Sequence, residues 1–235
     1  MSKNLWQITG SIAIAIILIS GCNSRQPKET PFDGRQSATP LATPKDVWMS
    51  EFQQINGTPY LYAPIYVATE ENKSLLKQLK SATYENRKES YDIDIRNYMF
   101  VHRDNLSSSK LLSNNSARLL KMELIGELAK PTKAENEPIG GSWIKKVNTL
   151  WYVKVPADTN GDKLLDDRDR QQIAISDVSG ANYTELIKDI DKILMVYPKG
   201  IDKRLVIYTS GNRRFVADVD LIKRQTTVKE LPALS

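Results

Sequence analysis

From Tyr60 onward the chain keeps returning to short runs in which β-branched and aromatic residues alternate with polar ones, closed off by Gly, Pro, Asn, Asp or Ser. A period of two suits strands and not helices. Strands are expected at 60–68, 91–101, 117–128, 149–155, 172–176, 192–197, 204–208, 215–220 and 225–231. Pro64 lacks an amide proton, so it is expected to make the first of these an edge strand or to split it. One segment has helical spacing: Thr69 can cap, Glu70 and Glu71 suit a first turn, and Leu75, Leu76 and Leu79 form one apolar stripe fit to pack on a sheet. Residues 131–142, with Pro138, Gly140 and Gly141, read as a loop. The expectation is a mainly β, antiparallel domain over 46–235 with one or two short helices.

Composition excludes several classes. With 40% hydrophobic and 26% charged residues, the 235-residue chain can bury a core. Its single Cys, Cys22, allows no intrachain disulfide and no Cys-based zinc site. Its single His, His102, excludes any mechanism that needs two imidazoles. A net charge of +5 is too modest to imply a nucleic-acid partner. No phosphate-binding glycine loop and no G-x-S-x-G elbow occurs.

The amino-terminal segment is read as an address. Lys3 precedes a nearly unbroken apolar run from Ile8 to Ile19, short for a membrane span but suited to the core of an export signal. Ile19-Ser20-Gly21-Cys22 follows. This tetrapeptide resembles the lipobox of bacterial lipoproteins. The resemblance implies a signal peptide over 1–21, cleavage before Cys22 and diacylglyceryl plus amide-linked acyl (palmitate-type) modification of that residue. Several acyl chains, at about 0.8 kcal/mol per buried methylene, make a stable anchor. Asn23 in place of Asp favours, by the same resemblance, an outer-membrane location facing the periplasm. Residues 22–45, rich in Ser, Thr, Pro and Gln without apolar periodicity, read as a disordered tether.

One segment carries metal chemistry. In 158–169 oxygen-bearing side chains recur at Asp158, Asn160, Asp162, Asp166 and Asp169, with the Leu164 carbonyl between them. Calcium takes six to eight hard oxygens, and alternate residues of a tight turn can bring them to one point. The spacing resembles the EF-hand loop, with dockerin-like Asp169 at its last position, and implies a Ca²⁺ cofactor. Lys163 stands where that family has the glycine of a left-handed bend, and Arg170 where an apolar residue is usual. Leu165 is apolar, as the family prefers, and is expected to face the core. The flanks read as strands, so the expectation is an EF-hand-like loop between two strands. The other reading of the same residues is an acidic surface turn.

A weaker repeat accompanies it. The stretch 172–186, with Asp177, Gly180 and Asn182 in its turn, resembles one hairpin of the TolB-type β-propeller repeat. Residues 215–231 form a looser second copy, and 98–112 a third. The resemblance implies a partly propeller-like meander, and a sandwich of similar hairpins competes with it. Of the remaining polar groups, His102-Arg103-Asp104 reads as surface, as do Lys145-Lys146 and Arg213-Arg214. The paired acids Asp92/Asp94 and Asp218/Asp220 each share a strand face, expected to be solvated. Taken together, the chain is similar to bacterial lipoproteins carrying an EF-hand-like loop. The expected function is an envelope-anchored, calcium-binding, non-enzymatic binding or structural module, with the membrane and an envelope protein as partners. A propeller-like protein-docking adaptor and a hydrolase of envelope polymers are the alternatives, and no oligomeric state is implied.

Overall fold

The computed structural model describes residues 47–67, 94–128 and 144–233, all within one compact unit, Gln36–Ser235. The signal peptide, Cys22, the tether, the Thr69 helix and the 131–142 loop lie outside the described residues. Among the described residues thirteen strands are formed: β1 (Val47–Met49), β2 (Gln53–Gln54), β3 (Tyr60–Val67), β4 (Ile95–His102), β5 (Ser108–Lys110), β6 (Arg118–Leu128), β7 (Ile144–Val155), β8 (Gln171–Ser176), β9 (Thr184–Ile190), β10 (Lys192–Pro198), β11 (Lys203–Ser210), β12 (Arg213–Asp220) and β13 (Gln225–Glu230). The fold is mainly β and every pairing is antiparallel.

The strands fall into three consecutive sheets. The first has the order β1-β3-β4-β5 with β2 also on β3, the second β6-β7-β8-β9, and the third β10-β11-β12-β13. The last two are plain meanders, in which each strand pairs with its sequence neighbour. The three hairpins singled out by the repeat occupy equivalent places: β4–β5, β8–β9 and β12–β13 are the closing pairs of their sheets.

The second sheet is covered on both faces, and the alternation of β7 and β8 shows why. Leu150, Tyr152 and Ala174 join a core cluster with Tyr98 and Phe100 of the first sheet. Their neighbours Trp151, Ile173 and Ile175 join another with Val206, Tyr208, Ala217 and Val219 of the third. A strand buried on both faces reads as a nearly continuous apolar run, which is what 150–153 is. Tyrosines bridge the first interface at centroid spacings of 6.1, 6.2 and 6.0 Å, in the order Tyr62, Tyr98, Tyr152, Tyr183. Burial pushes the Tyr98 and Tyr152 phenols up in pKa, and the Tyr152 hydroxyl is held 2.9 Å from that of Ser176.

Two expectations are corrected. Pro64 neither ends nor splits β3, which runs between β1/β2 on one side and β4 on the other. The break falls on the neighbouring strand instead: β1 pairs with 65–67 and β2 with 61–62, so Pro64 faces the gap between them, and its carbonyl accepts the Ser50 amide at 3.0 Å. No ladder donor is needed there. Asp94 is not on a solvated face. It is buried, and Arg96 donates to both its oxygens at 2.6 Å, the two-pronged geometry that makes a buried charge tolerable.

Candidate metal centre

The proposed ligands lie on the connection between β7 and β8, and the strand flanks agree with the sequence reading. The loop is built from carboxylates that accept backbone amides. Asp158 is buried, and its Oδ1 accepts the Asn160 and Gly161 amides at 3.2 and 2.7 Å while Oδ2 accepts that of Lys163 at 2.9 Å. Asn160 accepts the Asp162 amide and Asp162 that of Leu164, both at 2.9 Å. These side-chain turns wind the chain tightly enough to need a left-handed residue. Lys163 supplies it with φ of 67°, at the position where the EF-hand pattern has glycine. The non-glycine bend costs about 1–2 kcal/mol. Gly161, two residues earlier, is left-handed as well, with φ of 82°.

Asp169 closes the loop from its far end. It is fully buried. Its Oδ1 accepts the Thr159 amide at 2.7 Å and the Thr159 hydroxyl at 3.1 Å, and its Oδ2 accepts the Asp166 amide at 3.1 Å. Leu165 is buried as expected, whereas Leu164 is exposed. Asp166 and Asp162 point outward and share Arg168, whose Nη2 lies 2.5 and 2.9 Å from their carboxylates. The Arg168 guanidinium holds the Asp166 carboxyl below the usual carboxylate range.

The six predicted ligands are therefore contiguous in one loop but divided in task. Asp158 and Asp169 are buried and accept backbone amides alone or with a hydroxyl, whereas Asp162 and Asp166 each accept one backbone amide and also pair with the Arg168 guanidinium. Among the described residues no three acidic, imidazole or thiol side chains converge as a metal cage. Three contributors escaped sequence reasoning. Thr159 was legible in principle, because a hydroxyl between two turn-forming residues commonly bonds locally. The same hydroxyl accepts the Arg170 amide at 2.9 Å. Arg168 is a cation and so carries no signal as a metal ligand, yet it pairs with both outer carboxylates. Arg118 gives no local signal: it donates to the Leu165 carbonyl at 2.7 Å and reaches Asp94 at 3.6 Å, tying the loop to the buried pair of the first sheet.

The other polar groups make local contacts. His102 Nδ1 accepts the Asp104 and Asn105 amides at 3.3 and 3.4 Å, and its ring meets Tyr60 edge-on. In the β8–β9 turn, Asn182 donates to Asp177 at 2.6 Å and Arg224 of the third sheet donates to the same carboxylate, pinning two sheets together. Gly180 in that turn has φ of 77°, and a Cβ there would meet the Phe100 ring at 2.5 Å.

Acid sensitivity follows from the paired carboxylates. Burial raises Glu185, but Lys154 at 2.5 Å and Lys188 at 2.9 Å outweigh it and hold the carboxyl below its ordinary value. Lys199 does the same for Asp218. A group depressed in the folded state favours folding above its unfolded pKa and loses that contribution as pH falls through the folded value. The melting temperature is expected to be level near neutrality and to fall below about pH 4. Glu185→Gln should make that decline shallower in a melting series from pH 7 to pH 3, and an unchanged slope would remove Glu185 from the account.

No family model, curated protein or solved structure matches the chain.

Proposed function

We propose that this chain is a lipid-anchored, non-enzymatic β module of the bacterial envelope whose 158–169 loop takes a calcium ion. The carrying observation is the left-handed Lys163 at the sixth loop position, reached through successive side-chain turns at Asp158, Asn160 and Asp162. A left-handed residue at that position supports an EF-hand-like path without its glycine. The donors are hard oxygens only, which suits calcium rather than a softer transition metal. Asp158, Asn160, Asp162, Asp166, Asp169 and the Leu164 carbonyl would hold the ion, which would join the two flanking strands more firmly. Arg168 competes for Asp162 and Asp166, so affinity belongs in the weak extracytoplasmic range of about 10⁻⁴–10⁻³ M. Anchorage is supported by the Ile19-Ser20-Gly21-Cys22 sequence behind an apolar run.

The test is a melting titration of the full chain in detergent. At 10 mM Ca²⁺, ligand excesses of about 10–100 over Kd stabilise by about 1.4–2.7 kcal/mol. For a chain of this size that raises the melting temperature by about 3–10 °C. Asp162→Asn keeps the turn acceptor and removes the charge, so it should lose most of the rise. No calcium-dependent shift in either protein rejects the metal. Labelled palmitate should enter the wild type and not Cys22→Ser, and equal labelling rejects the anchor.

A second reading has its own support. Three successive antiparallel sheets, each closing on an equivalent hairpin, suit a propeller-like adaptor that docks a protein partner. It predicts that the chain copurifies with an envelope protein after mild crosslinking.

A further inference from the structure

Positive charge gathers on the third sheet. Residues 191–233 hold nine Lys and Arg against five Asp and Glu, so they carry +4 of the chain's +5. Val206, Tyr208, Ala217 and Val219 occupy the face toward the second sheet. Strand register puts their neighbours on the opposite face. Lys192, Thr209 and Arg214 form its end row, and Met195, Ile207, Val216 and Lys229 the next. Tyr197, Leu205 and Asp218 follow, then Lys203 and Asp220. Met195 and Tyr197 are about half exposed, Leu205, Ile207 and Val216 are partly exposed, and Lys192, Arg214 and Lys229 are exposed. Five apolar side chains therefore form one accessible patch with charge around it, the composition of an interaction surface.

The charges of the sheet divide into paired and unpaired. Lys199 and Lys203 neutralise Asp218 at 2.6 Å and Asp220 at 3.9 Å. Arg213 pairs with Glu230 at 3.2 Å, and Arg204 and Arg224 reach Glu123 and Asp177 of the second sheet. The Asp191 carboxylate is taken by the Gly211 amide. Lys192, Arg214 and Lys229, on three different strands at the other end of the face, have no acidic partner among the described residues, and all three border the Met195, Ile207 and Val216 row. The geometry points to the anionic headgroups of a lipid bilayer as the occupant of this face. A soluble anion would engage the cations and leave the apolar row in water, whereas a lipid surface engages both. The Tyr197 ring, apolar with a polar tip, suits the depth of the headgroups. Each basic side chain held near an anionic surface strengthens attachment about fivefold. The choice of a lipid surface rests on the anchored reading above, which puts a bilayer within reach of the tether.

The test uses the full chain with Cys22→Ser, so that a cysteine introduced by Met195→Cys, or by Leu106→Cys in the exposed β4–β5 turn as a control, is the only thiol to carry a fluorophore. Vesicles are of phosphatidylcholine alone or with about one third phosphatidylglycerol, and both contain a nitroxide-bearing lipid that quenches at headgroup depth. Fluorescence is read only on protein that floats with the vesicles, so attachment through the amino-terminal apolar run does not enter the comparison. The Met195 label should be quenched on the anionic vesicles and not on the neutral ones, the Leu106 label on neither, and about 0.5 M salt should relieve the quenching. Arg214→Gln with Lys229→Gln should weaken docking about 25-fold, two steps of about fivefold each, with the melting temperature unchanged. Equal signals on the two kinds of vesicle, a Met195 label quenched no more than the Leu106 label, or quenching untouched by the double substitution overturns the proposal. A Met195 label that shifts to the blue with protein concentration in the absence of vesicles overturns it in favour of a second copy. Because this chain lacks the acylated thiol, its result stands apart from palmitate labelling, which tests the anchor alone.

Discussion

Replacing Trp151 by Ala should cost about 3–5 kcal/mol and lower the melting temperature by about 6–20 °C. Trp151 is 1% exposed and lies on β7, an inner strand of the second sheet, paired with Glu123 of β6 and Ile175 of β8. Its indole is the largest fully buried side chain among the described residues. It packs in the cluster that joins the second sheet to Val206, Ala217 and Val219 of the third. The backbone on both sides is locked in ladders, so the surrounding sheet can collapse little into the space left, and the cavity term stays near its full size. Tyr152→Phe, one residue on and facing the other sheet, is the matched contrast. It removes only a hydroxyl whose partner, Ser176, keeps a 2.8 Å bond to the Asp177 carbonyl, and should cost about 1 kcal/mol. Urea unfolding of both variants checks the pair. A Trp151→Ala loss no larger than that of Tyr152→Phe would mean that the second and third sheets are not joined through this side chain.

That contrast also marks what alternation makes legible. Strands β3, β4, β6, β7, β8, β10, β11, β12 and β13 overlap the runs where period-two patterning placed them, because their core-facing residues are large and apolar. β7 begins at Ile144, five residues before the run at 149, since its first half carries Lys145, Lys146 and Asn148 outward and only alternate residues inward. The strands without a signal, β1, β2 and β5, are two or three residues long, and β2 and β5 hold only Gln, Ser and Lys. Their pairing is dictated by β3 and β4, not by their own composition. The three closing hairpins left a trace in turn chemistry but not in even spacing. Tyr98 and Ile173 lie 75 residues apart while Ile173 and Phe215 lie 42 apart, because the second sheet contains strands of 11 and 12 residues and the long 158–169 loop. Asp94 was misread because its solvation depends on Arg96 and Arg118, and only folding brings Arg118 to it.

In the loop the same division holds between local and distant information, and it ranks the carboxylates by stability. Asp169→Ala should cost about 3–5 kcal/mol without any added metal. It removes a fully buried anion that accepts from two backbone amides and one hydroxyl, and bonds to charged groups contribute about 1.5–3 kcal/mol each, less where an amide near the surface finds water. The loss spreads, because the Thr159 hydroxyl held by Asp169 is also the acceptor for the Arg170 amide at the start of β8. Asp169→Asn keeps the acceptor facing Thr159 but sets an amide group against the Asp166 N–H, and should cost about 1–3 kcal/mol. Asp162→Asn leaves the Leu164 amide its acceptor and loses only a half-exposed contact with Arg168, so it should fall within about 0.5 kcal/mol of the wild type. Urea unfolding in the presence of a chelator reads all three. The order Asp169→Ala, Asp169→Asn, Asp162→Asn would separate carboxylates that hold the backbone from those that carry surface charge. A large effect at Asp162 with none at Asp169 would reverse those roles and place the loop's mechanical support in its outer turn.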